Sequence, residues 1–334
     1  MNQPDASETT RTASLEAYQA MAKTITKPAK PKKNGTARLK KNGTPTYADG
    51  RPHDQVQFFD AKLILKPDFF ASVRGFRAFS DLVAEAAKQV PKVTYTPFDL
   101  TKMRPKIREV MFVDTADFRM YNNSFILRRR TMYQDGFPIS DPEIVVKYRS
   151  DDLAKAAAVD IRPNVSGPYR IKLKAEALPL KDSVGGYRML YAHNCIIPSS
   201  SIHAGDRSNL QTIARLAPAL AGLIGDAEGN VELVNSTLVE EVLMDIGTLD
   251  FGKGFTAKAN ISLWRSLGDH HVMCGEFAYQ TKFADKADVN QKIRGRVEEL
   301  FMKLQQIATG WLYLGTTKTG LVYRLKGNPP QAHE

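Results

Sequence analysis

"DTADFRMYNNSFILRRR", residues 114–130, ends in three consecutive arginines on a segment that reads as a β-strand. Side chains alternate across a strand, so Arg128 and Arg130 share one face and oppose Phe125 and Leu127. A sheet must bury one face. A strand with this much positive charge therefore needs its second face in water or on a polar cavity.

Five further segments repeat the pattern. In VQFFDAKLILK (56–66), Asp60, Lys62 and Lys66 oppose Ala61, Leu63 and Leu65. In EIVVKYR (143–149), Glu143, Lys147 and Arg149 oppose Ile144, Val146 and Tyr148. In YRIKLKAEA (169–177), Arg170, Lys172, Lys174 and Glu176 oppose Tyr169, Ile171 and Leu173. Lys258 and Asn260 oppose Ala257, Ala259 and Ile261 in TAKANIS (256–262). Glu276, Gln280 and Lys282 oppose Phe277, Tyr279 and Phe283 in CGEFAYQTKF (274–283). Over the six strands the polar face carries eleven cations and four acids. Solvated faces mix signs, because like charges opposite one another across strands repel. The excess predicts a sheet curled around a lumen that holds a polyanion, with helices on the apolar outside.

The helices are legible as stripes. Phe76, Phe79, Val83, Ala86 and Val90 predict a helix over 76–90. SNLQTIARLAPALAGLIG (208–225) predicts a helix capped by Ser208 or Asn209 and kinked at Pro218. Residues 288–307 give the clearest helix, with Asp288 as its cap and Val289, Ile293, Val297, Leu300, Leu304 and Ile307 as a core stripe.

Length and composition bound the rest. The 334 residues allow a sizeable core, and no apolar run approaches the roughly 20 residues that span a bilayer. The N-terminus has no apolar stretch of a secretory signal, and two cysteines make no disulfide framework, so a cytoplasmic location is expected. Ten Lys/Arg against five Asp/Glu in residues 1–55 place +5 of the +11 net charge there. Residues 1–53, with KKNGT at 32–36 and again at 40–44, read as a disordered basic tail that solubilises the chain or binds nucleic acid. A folded domain is expected over 54–326, with an insertion around 178–230 and a flexible end at 327–334.

Several motifs fall short. GTLDFGKG (247–254) lacks the Ser/Thr of a phosphate-binding P-loop and is followed by a strand, so it predicts a hairpin turn. His270, His271 and Cys274 have no second Cys/His pair at zinc-site spacing. His193 and Cys195 have no third partner for nucleophilic catalysis.

VDTADFRMYNNSFILRRR resembles the signature of the CYTH-like, triphosphate-tunnel superfamily through Asp114, Thr115, Asp117, Leu127, Arg128 and Arg130. EIVVKYR is similar to the family strand that brings a lysine, here Lys147, into the tunnel. CGEFAYQ is similar to its late acidic strand, with Glu276. TTKTG (316–320) resembles its Ser-Lys ending, with Lys318 in the lysine's place. The resemblance covers residues 55–325. It implies an α+β fold built on an antiparallel eight-stranded β-barrel, open at both ends, with helices packed outside. It also implies a lumen that binds triphosphate or polyphosphate, with Mg2+ or Mn2+ held by acids. Where the family opens with Glu-x-Glu-x-Lys, this chain has Phe58, Asp60 and Lys62, and Gln280 stands where a further acid is expected.

Hydrolysis of a phosphoanhydride would require a metal on the phosphate oxygens and an attacking water. The candidate metal ligands are Asp60, Glu143, Glu176 and Glu276, with Asp60 and Glu276 as catalytic candidates and Glu241 and Asp245 as further acids of TLVEEVLMD. The candidate anion clamps are Lys62, Arg128, Arg130, Lys147, Arg149, Arg170, Lys172, Lys174, Lys258 and Lys318. Three functions fit: a metal-dependent phosphohydrolase, a degenerate tunnel that binds a phosphate-rich ligand without turnover, and a nucleic-acid-interacting protein acting through its tail.

Overall fold

Alternation along eleven strands builds the molecule in the computed structural model, which describes residues 55–225, 231–282, 290–326 and 330. The tail expected at 1–53 lies outside the described residues, as does the end expected at 327–334 but for Pro330. The strands are β1 Phe58–Leu65, β2 Thr94–Pro97, β3 Lys106–Asp114, β4 Phe125–Gln134, β5 Phe137–Pro138, β6 Glu143–Ser150, β7 Arg170–Pro179, β8 Tyr187–Pro198, β9 Glu232–Asp250, β10 Thr256–Ser266 and β11 Val272–Lys282. Nine of them close a ring in the order β10, β11, β1, β7, β8, β6, β4, β3, β9 and back to β10; β2 and β5 are appended to β9 and β4.

The barrel corrects the expected one in two respects. It has nine staves rather than eight, and it is mixed: β1 pairs parallel with β7 over Phe58–Ala61, while the other ring pairings are antiparallel. Within 178–230 lies β8, a full stave paired with β6 and β7. Its period is blurred because Ala192, Cys195, Ile196 and Ile197 bury both faces.

Two apolar layers coat the outside. One packs α1 (Val73–Lys88) and the later helix Gln291–Ile307 against Leu63, Phe277 and Tyr279. Ser72 caps α1 by accepting from the Arg74 N–H. Gly275 lets this layer lie flat, since a Cβ there would meet the Phe70 ring at 2.3 Å. The second layer covers Leu127, Ile144, Val146 and Leu173 with residues from three short helices. After α2 (Arg119–Asn122), these are α3 (Leu153–Ala158), α4 (Leu210–Arg215) and α5 (Pro218–Ile224). Pro218 does not kink one helix over 208–225. It occupies the first turn of α5, where its missing N–H costs nothing, and Asn209 caps α4. The long helix α6 (Gln291–Ile307) is capped by Asn290 rather than Asp288, which lies outside the described residues.

The last helix, α7 (Lys318–Tyr323), fills one end of the barrel. There the inner face turns apolar: Ile64, Val110, Phe112, Ile126 and Trp264 pack with Val322 and Tyr323, all buried. The lumen is therefore blind at that end, not open at both. No helix among the described residues is long and apolar enough to cross a membrane.

Candidate functional site: a blind cationic lumen

The other half of the inner face encloses a cavity of ≈ 200 Å³. Every stave lining it contributes through alternation: Lys62 from β1, Arg108 from β3, Arg128 and Arg130 from β4, Lys147 and Arg149 from β6, Lys172 and Lys174 from β7. Lys318 enters from the first turn of α7. These nine cations face three lining carboxylates, Glu176, Glu241 and Glu276. Asp60 and Glu143 pair with lining cations as well, and positive charge remains in excess.

Each acid is engaged by cations. Glu176 lies 2.7 Å from Lys62, 3.1 Å from Lys147 and 3.6 Å from Arg149. Burial alone would raise its pKa, but Lys147, Lys62 and Arg149 hold it well below the usual carboxylate range. Asp60 accepts from Lys174 at 3.0 Å and from Gln280 at 2.6 Å, and despite burial it too is held low, by Lys174 and Lys62. Glu241 takes Arg108 at 3.0 Å, Lys318 at 3.1 Å and the Trp264 indole N–H at 2.9 Å. Glu276 takes Lys318 at 2.8 Å. Glu143 sits at the mouth between Arg130 and Arg170, 2.7 Å from each.

Arg128 differs. It has no carboxylate partner among the described residues; its Nε, like those of Arg108 and Arg130, is sealed from solvent without an acceptor. Burial first, and Arg130 next, pull its pKa down to about 9. Lys147 and Lys172 are also pulled below the ordinary lysine value, by burial and then by Arg149 and Arg170 respectively. Near the mouth Phe58 stands where the family carries its first glutamate, and the ammonium groups of Lys172, Lys174 and Lys282 lie over its ring at 5.1, 5.3 and 5.9 Å.

Of the ten expected anion clamps, the barrel brings eight to the cavity. Arg170 and Lys258 stand outside it, exposed and held by Glu143 and Asp245, the latter pair at 2.7 Å. The four expected metal ligands do not converge. Asp60 and Glu176 sit opposite one another across β1 and β7, while Glu143 lies apart at the mouth. No three His, Cys, Asp or Glu side chains among the described residues gather so as to hold a metal ion. The donor set, with its oxygens already turned to Lys and Arg, does not fit Mg2+ or Mn2+, which require several free oxygen ligands.

Sequence reading missed Arg108. Its signal was Lys106 two residues before it on the same face, but the face then turns apolar at Val110 and Phe112. Asp114 is structural: buried, it accepts from the N–H groups of Thr115, Met120 and Tyr121 and from the Tyr323 hydroxyl, tying the signature turn to α7. His193 hydrogen-bonds the Ala156 carbonyl in the outer layer, and GTLDFGKG runs from the end of β9 into the β9–β10 turn, with Gly252, Lys253 and Gly254 at positive φ.

The chain matches no protein-family model, and no curated protein matches it. Among solved structures it is similar to the candidate adenylyl cyclase HpAC1 from Hippeastrum, described with a dominant triphosphatase activity, at 13% identity and a TM-score of 0.38, covering 82% of this chain and 98% of that one. It is also similar to a protein from Pyrococcus horikoshii OT3, at 13% identity and a TM-score of 0.31, covering 79% and 97%. A third is a candidate adenylate cyclase from Vibrio parahaemolyticus, at 11% identity and a TM-score of 0.33, covering 80% and 99%. These likenesses are remote. The stretch from Asp114 to Arg130, on which the sequence resemblance rests, here belongs to a closed barrel with a cation-lined lumen.

Proposed function

We propose that the lumen binds a triphosphate or polyphosphate group, end first, through Lys62, Arg128, Arg130, Lys147, Arg149, Lys172, Lys174 and Lys318. The observation that carries this reading is Arg128, a half-buried guanidinium that lines a cavity already rich in cations and has no carboxylate partner among the described residues. Partial desolvation without a partner disfavours the charge, and an anion supplied from solution offsets that cost. Lys and Arg in excess match a chain that carries about four negative charges at neutral pH. The cavity of ≈ 200 Å³ is below the roughly 300–1,000 Å³ of pockets that enclose drug-sized ligands, so any organic group on the phosphate chain stays outside the mouth. The blind end excludes threading.

Hydrolysis is not part of the proposal, because Asp60 and Glu276 are held by lysines. The folded unit is proposed to span 54–326, and a nucleic-acid role for the basic tail remains separate from it. Thermal unfolding with tripolyphosphate tests the reading. At about 100 times Kd the ligand adds about 2.7 kcal/mol, which for a domain of this size raises Tm by about 5 °C. No shift at millimolar tripolyphosphate rejects it.

A further inference from the structure

Glu241 on β9 and Glu276 on β11 converge on the floor of the lumen from either side of β10. Two such carboxylates would ordinarily take a divalent cation beside a phosphate chain. Here the space between them is filled by Lys318 Nζ, 3.1 Å from Glu241 Oε1 and 2.8 Å from Glu276 Oε1. The ammonium also rests over the Trp264 ring at 4.6 Å. The remaining oxygen of Glu241 is taken by Arg108 at 3.0 Å. Burial works against ionised Glu241, yet Lys318 and then Arg108 hold its pKa well below the usual range.

Lys318 is delivered by a fixed element. Thr317 caps α7 by accepting from the Gly320 N–H, and Tyr323 at the other end is tied to Asp114. Releasing the ammonium to admit a metal would require α7 to shift or the lysine to leave a site where three partners hold it.

We infer that Lys318 is the resident cation of this barrel, standing between Glu241 and Glu276 in place of a divalent metal, and that the lumen takes its phosphate chain metal-free. The second half rests on the phosphate reading above; the first does not. A chain chelated by Mg2+ arrives with two fewer negative charges and with the waters that Mg2+ sheds reluctantly. Against a surplus of fixed cations in a small cavity, it binds more weakly than the bare chain.

The test has two arms on the full chain. In the first, Mn2+ is titrated without any anion and free Mn2+ is followed by electron paramagnetic resonance. The wild type is expected to leave Mn2+ free to about 1 mM, whereas Lys318→Met takes up about one ion per chain and loses it again when Glu241→Gln is added. Lys318→Gln is the second variant, and circular dichroism melts establish that each is folded. In the second arm, tripolyphosphate binding is measured by calorimetry in EDTA and in excess Mg2+, and Mg2+ is expected to weaken it about tenfold. Stoichiometric Mn2+ uptake by the wild type, no uptake by folded Lys318 variants, or tighter binding in Mg2+ overturns the inference. Absence of tripolyphosphate binding in both media refutes the phosphate reading alone, and the Mn2+ arm still decides the role of Lys318.

Discussion

The two halves of the barrel's inner face are made by the same strands and behave as opposites. On β4, Arg130 and Arg128 line the cavity, and two residues further down the same face Ile126 belongs to the apolar fill. On β3 the change falls between Arg108 and Val110, and on β1 between Lys62 and Ile64. The blind half is closed by burial of apolar area, and its cohesion needs nothing from solution. The mouth half is held by ion pairs that leave cations over, and its most settled state includes an anion. One face of one sheet thus divides into a part that stabilises the fold and a part that the fold has to support.

Substitutions on the two sides should separate these roles. The largest effect is expected in the blind half: Phe112→Ala removes a fully buried ring that packs tilted against Trp264 and edge-on to Tyr323, and should cost about 3–5 kcal/mol in chemical denaturation. Asp114→Ala leaves three backbone N–H groups and the Tyr323 hydroxyl without their acceptor, at about 1–3 kcal/mol for an unsatisfied group. It should loosen α7 first, seen as faster amide exchange over 318–323. In the mouth half the double variant Arg128→Ala, Arg130→Ala should erase the tripolyphosphate shift of about 2.7 kcal/mol while leaving the unliganded protein no less stable. A comparable loss of unliganded stability would place these arginines with the blind half.

The pH response sharpens the contrast further. Lys147 and Lys172 have pKa values pulled below the ordinary lysine value, and an anion favours their charged forms. Binding above those lowered values must take up a proton, so affinity falls as pH rises, and it begins to fall below pH 10.5. Each neutral lysine contributes up to about tenfold per pH unit. Calorimetry at a series of pH values below 10.5 reads the fall. The smallest effect is expected at the exposed edge: Lys258→Ala should change affinity less than about fivefold, as exposed ion pairs are worth about 0–1 kcal/mol.

Much of the mouth was legible because alternation alone put Lys62, Arg128, Lys147 and Lys172 on one face, and closure of the sheet then made that face an interior. The blind half was not. Ile64, Val110 and Phe112 read as ordinary core residues, and nothing local says that they share a face with the cations. The pairing of Lys318 with Glu241 and Glu276 joins three elements far apart in sequence, so it follows only from strand order. A strand shows around His193 and Cys195, but Ala192, Cys195, Ile196 and Ile197 bury both faces and hide the full extent of β8, and Pro218 reads as a kink when neighbouring residues are helical on both sides.

The parallel join of β1 with β7 carries one more lesson, about parity. Neighbours in a ring can all run opposite ways only if their number is even, so nine staves force one pair to run together. That pair cannot be linked by a hairpin. Its partners lie more than a hundred residues apart, and it is only four residues long against the eight of β1 with β11. Loop closure over that distance must be met before its few residues reward it. Asp60 and Glu176 face each other across this join, so the cationic chamber is whole only once the ring's shortest pairing is made.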